Sequence, residues 1–169
     1  MTANNHRSRP TQPGAPALIE HDTLKFLIVN NPAQATLPQF VKELKKNNVK
    51  VVVRCCEPTY STESLTEEGI DLMECEFADG AAPPSSVVSQ WLELVEETFK
   101  KEPTGCIAVH CVAGLGRAPV LVAIALIEHG MKYHAAVEYI RQKRRGAINK
   151  KQIEFLESYK PNNKKCSVM

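Results

Sequence analysis

Leu37, Phe40, Val41 and Leu44 recur at the i, i+3, i+4 and i+7 spacing of one helical face, with Thr36 placed to cap the first turn. Ahead of them, Phe26 to Val29 is a short apolar strand closed by the turn signal Asn30-Asn31-Pro32. Behind them, Asn47-Asn48 ends the helix, and the β-branched run Val49 to Arg54 follows as a buried strand. Met73, Cys75 and Phe77 alternate with Glu74 and Glu76, the period of a strand with one solvated face. The loop Ala78 to Pro84 leads to a helix that buries Val88, Trp91, Leu92, Val95 and Phe99, and Cys106 to His110 forms the next strand. From Pro119 to Ile127 every position is apolar, so that helix lies inside the domain, and Gly130 stops it. Tyr133, Ala136, Val137 and Ile140 mark another helix, ending at Gly146. Asn149 and Gln152 form a capping box for the last one, which buries Ile153 and Leu156. Strands alternate with helices early and helices accumulate late. The pattern is that of a single α/β domain, a central and largely parallel sheet flanked by helices.

Composition narrows the classes. At 169 residues, 43% hydrophobic and 24% charged, the chain holds one domain with a real core. A net charge of +2 does not argue for nucleic acid, although the basic residues gather in the C-terminal third. No stretch of eighteen apolar residues exists to span a membrane. Residues 1–16 are rich in Asn, Pro, Thr and Arg and read as a disordered arm rather than a secretory signal. The domain is expected over 17–161, with a basic tail over 162–169. Six cysteines without a C-x-x-C pair read as reduced cytosolic thiols, with no zinc site, other metal or cofactor implied.

The chemistry concentrates in Val109 to Pro119, VHCVAGLGRAP. In a parallel sheet, ligands bind beyond the carboxyl ends of the strands, and this stretch is such a strand-to-helix junction. The backbone amides of Val112, Ala113, Gly114, Leu115 and Gly116, with those of the following helix, make an anion nest. Pro119 suits the first helical turn, and Arg117 offers a planar fork matched to two phosphate oxygens. Cys111 at the start of the loop feels that positive field, which favours a thiolate aimed at phosphorus. The reading is phosphoryl transfer from a phosphate ester through a phosphocysteine.

Two rivals fall away. The loop lacks the Gly-Lys-Ser/Thr of a Walker nucleotide site. His110 and Cys111 are adjacent on a strand and point to opposite faces, so they do not form a protease dyad; His110 reads as a buried, hydrogen-bonded residue that shapes the loop. The leaving oxygen needs a proton, and a carboxylic acid should hang over the pocket. Asp79, with Gly80 as hinge and Pro83-Pro84 stiffening the exit, is one candidate and Asp71 another; spacing alone does not choose between them.

His110-Cys111, five residues, then Arg117 resembles the signature of the cysteine-dependent protein tyrosine phosphatases. The fuller string from His110 to Val120 is similar to that of the PRL (phosphatase of regenerating liver) group, prenylated and dual-specificity-like. The likeness runs from about Ala17 through Pro161 and includes RQKRRGAIN at Arg141 to Asn149. It implies the fold of that family, a phosphoprotein or other phosphoester substrate, and, through the pattern F-x-D-G-x-x-P-P, Asp79 as general acid. Ala78 and Glu76 depart from the residues relatives often carry, a second Asp and a Pro.

The resemblance also singles out Cys56 as the partner for a reversible disulfide with Cys111, leaving Cys55 inert. Ala118 stands where most tyrosine phosphatases carry Ser or Thr, as in PRL proteins. That hydroxyl helps sulfur leave; losing a hydrogen bond to a charged group, roughly 1.5–3 kcal/mol, slows phosphocysteine hydrolysis by about one to two decades. A binding module is the second reading. PRL resemblance implies CNNM-family magnesium-transport proteins as its partner, an acidic group entering the pocket.

The chain ends Cys166-Ser167-Val168-Met169, a prenylation box whose terminal Met favours farnesyl. One lipid attaches only marginally, so Arg141, Lys143, Arg144, Arg145, Lys150, Lys151, Lys164 and Lys165 are expected to assist at an anionic membrane surface. The resulting expectation is the cytoplasmic face of the plasma membrane and endosomes when prenylated, and the cytoplasm otherwise. Oligomeric state stays open.

Overall fold

The computed structural model describes residues 15–161, so the arm up to residue 14 and the tail 162–169, with Lys164, Lys165 and Cys166, lie outside the described residues. The described chain opens with a hairpin that periodicity does not announce. β1 (Ala17–His21) turns through Asp22, at φ 49°, into β2 (Leu24–Asn30). There follow α1 (Leu37–Lys46), β3 (Val49–Arg54), the short α2 (Glu63–Glu67) and β4 (Asp71–Glu74). The second half runs α3 (Ser85–Lys101), β5 (Cys106–Cys111), α4 (Arg117–Glu128), α5 (Tyr133–Lys143) and α6 (Lys150–Ser158).

The sheet order is β1-β2-β5-β3-β4, with β2, β5, β3 and β4 parallel and only β1 antiparallel at its edge. All six residues of the central strand β5 are buried, which is why its sequence is an unbroken run instead of an alternating one. Side chains alternate across it. Phe26, Ile28, Val51, Val53, Ile107 and Val109 pack with α3, α4, α5 and α6, whereas Leu27, Val29, Val52 and Ala108 pack with α1 and α2. α4 is buried from Arg117 to Ile127 and accepts the Trp91 indole N–H at the Leu121 carbonyl, 2.7 Å. Each buried Leu or Ile on it contributes roughly 1.5–3 kcal/mol.

Two boundaries differ from expectation for physical reasons. The strand expected over Met73 to Phe77 is β4, over Asp71–Glu74, because β3, its one neighbour among the described residues, stops at Arg54. The Cys75 amide makes the last bond, 2.8 Å to the Arg54 carbonyl; Cys75 and Phe77 still turn inward and Glu74 and Glu76 outward. α5 stops at Lys143, before Gly146, where Arg144 turns into the protein. The carboxyl ends of β2, β5 and β3 therefore share one edge, at Asn30, Cys111 and Arg54.

Candidate active site

In the loop from Val112 to Gly116, four of the five carbonyls accept hydrogen bonds from the surrounding protein. Val112 O accepts from the Asn31 amide (3.3 Å), Leu115 O from the Ile148 amide (2.7 Å) and Gly116 O from the Val120 amide (3.1 Å). Ala113 O accepts from the Arg144 guanidinium at 2.8 Å. Gly114, at φ 66°, supplies the left-handed turn this requires. Among the described residues the amides of 112–116 meet no acceptor, so the loop keeps a run of N–H donors free for an anion.

Arg117 opens α4 and is 9% exposed. Its Nη1 donates to the Phe77 carbonyl at 3.3 Å, and its Nε lies 3.7 Å from Asp79 Oδ1, buried and without a hydrogen-bond partner. Asp79 itself is on an exposed loop with its side chain 81% accessible. Gly80, at φ 74°, turns the chain there. Asp71 begins β4 level with Val51, three residues back from the strand end at Arg54, or about 10 Å at 3.3 Å per residue. The structure thus brings Asp79, and not Asp71, to the loop and Arg117.

Cys111 is 3% exposed at the foot of the loop. Beside it opens a cleft of about 740 Å³ lined by Cys56, Glu57, Thr59, Glu76, Phe77, Ala78, Asp79, Val112 and Arg117. A second groove, about 540 Å³ between α5 and α6, contains none of these residues. Ala118 is fully buried in the first turn of α4.

His110 turns away from Cys111, as adjacent strand residues must. The ring is fully buried, with Nε2 2.6 Å from the Tyr60 hydroxyl and Nδ1 3.3 Å from the Cys111 carbonyl. Burial pulls its pKa down to about 4 and pushes the Tyr60 hydroxyl up to about 12. A neutral imidazole donating from Nδ1 to Cys111 O and accepting from Tyr60 satisfies both contacts. Arg54, buried, stacks 5.1 Å over the Tyr60 ring and pairs with Glu74.

The five described cysteines are unbridged. Cys56 lines the cleft with Sγ 3.9 Å from His110 Nδ1, and burial pushes its thiol up. Cys55 is fully buried; its amide bonds the His110 carbonyl at 2.9 Å and its thiol, pushed well up by burial, joins the core that also contains Cys111. Burial also raises Cys75 to about 11 and Cys106 to about 12. These two remain neutral packing residues.

One expectation is overturned. Arg144 does not belong to a basic surface patch: it is 5% exposed and braces the loop, bonding the Ala15 carbonyl at 2.6 Å, the Ala113 carbonyl, and Asn30 Oδ1. Exposed Arg141 is tied to the carbonyls of Ala147 (2.9 Å) and Ile148 (2.8 Å). Lys143, Arg145, Lys150 and Lys151 remain on the surface. The capping box at α6 is present, Asn149 Oδ1 accepting from the Gln152 amide at 2.8 Å. It also does what pattern alone did not reveal: Asn149 Nδ2 donates to the Gly80 carbonyl (3.2 Å) and Gln152 Nε2 to the Ala81 carbonyl (3.4 Å). The start of α6 thereby holds the loop that carries Asp79. Among the described residues, no group of three or more His, Cys, Asp or Glu could hold a metal ion, and no helix is long and apolar enough to cross a membrane.

A family model described as a polymorphic toxin system DSP-PTPase phosphatase matches residues 29–131. The chain is 58% identical over 147 residues to the PRL-1 phosphatase of Drosophila melanogaster, covering 87% of this chain and 84% of the relative. It is 53% identical over 150 residues to protein tyrosine phosphatase type IVA 3 of Homo sapiens, covering 89% and 87% respectively. A solved protein tyrosine phosphatase from Leishmania major superposes with a TM-score of 0.77 at 39% identity, covering 86% of this chain and 98% of that one.

Proposed function

Because the chain belongs to the type IVA, or PRL, protein tyrosine phosphatases, cysteine-dependent enzymes, we propose that Cys111 carries its phosphoryl transfer in a competent first step followed by a slow second one. The observation that carries this reading is the loop whose amides from 112 to 116 meet no acceptor among the described residues, with Arg117 Nε beside it lacking a hydrogen bond. A phosphate dianion satisfies those donors at once. The Cys111 sulfur attacks phosphorus as the ester P–O bond breaks, and Asp79 gives its proton to the departing oxygen. Water then attacks the phosphocysteine, Asp79 takes the proton, and the sulfur leaves with its electron pair.

Ala118 bears on that last step alone. With no hydroxyl beside the departing sulfur, hydrolysis lacks a charge-assisted hydrogen bond of roughly 1.5–3 kcal/mol, or about one to two decades of rate. Ala118→Ser is therefore expected to raise steady-state turnover of an aryl phosphate while leaving the initial burst of phenol almost unchanged. A slower burst with flat steady turnover would show that Ala118 is packing and the kinetic reading is wrong.

The same missing hydroxyl favours a second role, in which the pocket grips an acidic group of a CNNM-type magnesium-transport protein. Cys56, lining the cleft next to Arg117, supports its assignment as the reversible disulfide partner of Cys111. Attachment through farnesylated Cys166 to the cytoplasmic face of the plasma membrane and endosomes, aided by Lys143, Arg145, Lys150 and Lys151, completes the proposal.

A further inference from the structure

The cleft that admits the phosphate is asymmetric in charge. Glu57, Glu76 and Asp79 line it together with one guanidinium, Arg117. All three carboxylates are exposed, whereas Arg117 is buried, its Nε ion-paired with Asp79 at 3.7 Å but without a hydrogen bond. The anion subsite is thus made of the loop amides and Arg117, and the other charged side chains that line the cleft beside it are acidic. The large exposed apolar side chains among the described residues, Val112 at 60% and Leu115 at 40%, stand on the loop itself. They offer contact to carbon next to the phosphate rather than to further charge.

We infer that the site selects a phosphorylated side chain on a cationic polypeptide segment, with Lys or Arg flanking the phosphoresidue, and disfavours polyanionic phosphoesters. This rests on the phosphatase reading above. One dianion exhausts the buried donors; a second phosphate on the same ligand would face Glu57 or Glu76 and be repelled. A flanking ammonium or guanidinium would meet those carboxylates at the solvent edge. Exposed pairs of this kind give roughly threefold each, so two give about tenfold in affinity. The contribution is screened by salt, with a Debye length of about 10 Å at 0.1 M.

The test uses phosphotyrosyl peptides of equal length flanked by Lys, by Ser or by Glu, and an inositol trisphosphate. Binding is measured to the full-length Cys111→Ser protein and turnover is measured with wild type. The expected order is Lys, Ser, Glu, inositol trisphosphate. The Lys-to-Glu ratio should reach roughly tenfold or more at low salt and shrink toward one at about 500 mM. Glu57→Gln with Glu76→Gln should collapse the ratio at unchanged shape, and the Lys double variant should invert it. Equal binding of the three peptides at low salt, a ratio that survives the Gln variants, or tighter binding of the inositol trisphosphate overturns the inference. Selective binding without turnover upholds it and instead overturns the phosphatase reading. Unselective binding with phosphocysteine turnover does the reverse.

Discussion

A methyl group at position 114 would meet two obstacles at once. The backbone there is left-handed, φ 66°, a conformation that costs a residue with a Cβ about 1–2 kcal/mol. A Cβ would also lie 2.7 Å from Arg144 Nη2, where ordinary contact begins at 3.4 Å. Arg144 must then retreat by about 0.7 Å, enough to carry its 2.8 Å bond with the Ala113 carbonyl to the limit of hydrogen bonding. Losing a hydrogen bond to a charged group costs about 1.5–3 kcal/mol, so Gly114→Ala should destabilise the protein by about 2.5–5 kcal/mol. Urea unfolding of wild type, Gly114→Ala, Arg144→Met and the double variant separates the two causes. With Arg144 gone only the backbone cost remains, so the second Gly114→Ala should cost about 1–2 kcal/mol, leaving a coupling of about 1.5–3 kcal/mol. If Gly114→Ala costs the same in both backgrounds to within about 0.5 kcal/mol, the sites are independent and the brace is not what Gly114 accommodates. Affinity for vanadate should fall with Gly114→Ala, since the same bond fixes the loop.

Other consequences are equally direct. Gln152→Leu releases the Ala81 carbonyl and should lower kcat/KM for phenyl phosphate roughly tenfold more than for an ester of an acidic phenol, because only the poor leaving group needs the proton from Asp79; equal losses on both would mean the residue merely packs. Buried His110 binds its proton near pH 4 in the folded protein, against an ordinary value of 6.5, so its contribution is complete above pH 6.5 and lost as pH falls through 4. Between those values wild type should lose about 3 kcal/mol more than His110→Gln in urea unfolding, and parallel pH profiles would remove His110 from the account. Mild peroxide should inactivate wild type and Cys55→Ser reversibly, dithiothreitol restoring both, while Cys56→Ser passes to irreversible loss; equal recovery of all three would count against Cys56 as the resolving thiol.

The fold class was legible because its two deepest elements carry no polar alternation. β5 and α4 are buried almost throughout, and an all-apolar strand followed by an all-apolar helix leaves little choice but a central parallel sheet. The loop between them was legible from Gly, Arg and Pro at chemically meaningful spacing. β1 was not, because five residues, Ala-Leu-Ile-Glu-His, alternate too briefly and turn through Asp22 without an Asn-Gly signal. Arg144 was misplaced for a different reason. A basic run at a helix end ordinarily faces water, and only its contacts with Ala15, Asn30 and Ala113, from segments distant in sequence, turn it inward. Gln152 satisfied a local rule completely, so nothing local hinted at its second bond to Ala81.

The strand order has a further consequence, for how the chain is made. β5 inserts between β2 and β3, pairing Val29 with His110 across 81 positions of sequence. Until residue 111 has emerged and folded, β2 and β3 face each other across a missing strand, each with a row of unpaired backbone donors and acceptors. Such open edges invite pairing with another chain, so nascent or truncated forms should be the aggregation-prone species. The last piece to enter that gap is also the one bearing Cys111. The nucleophile therefore acquires its setting only when the sheet closes, and no partly folded fragment can carry the chemistry. Amides of β5 should accordingly exchange with deuterium only at the rate of global unfolding.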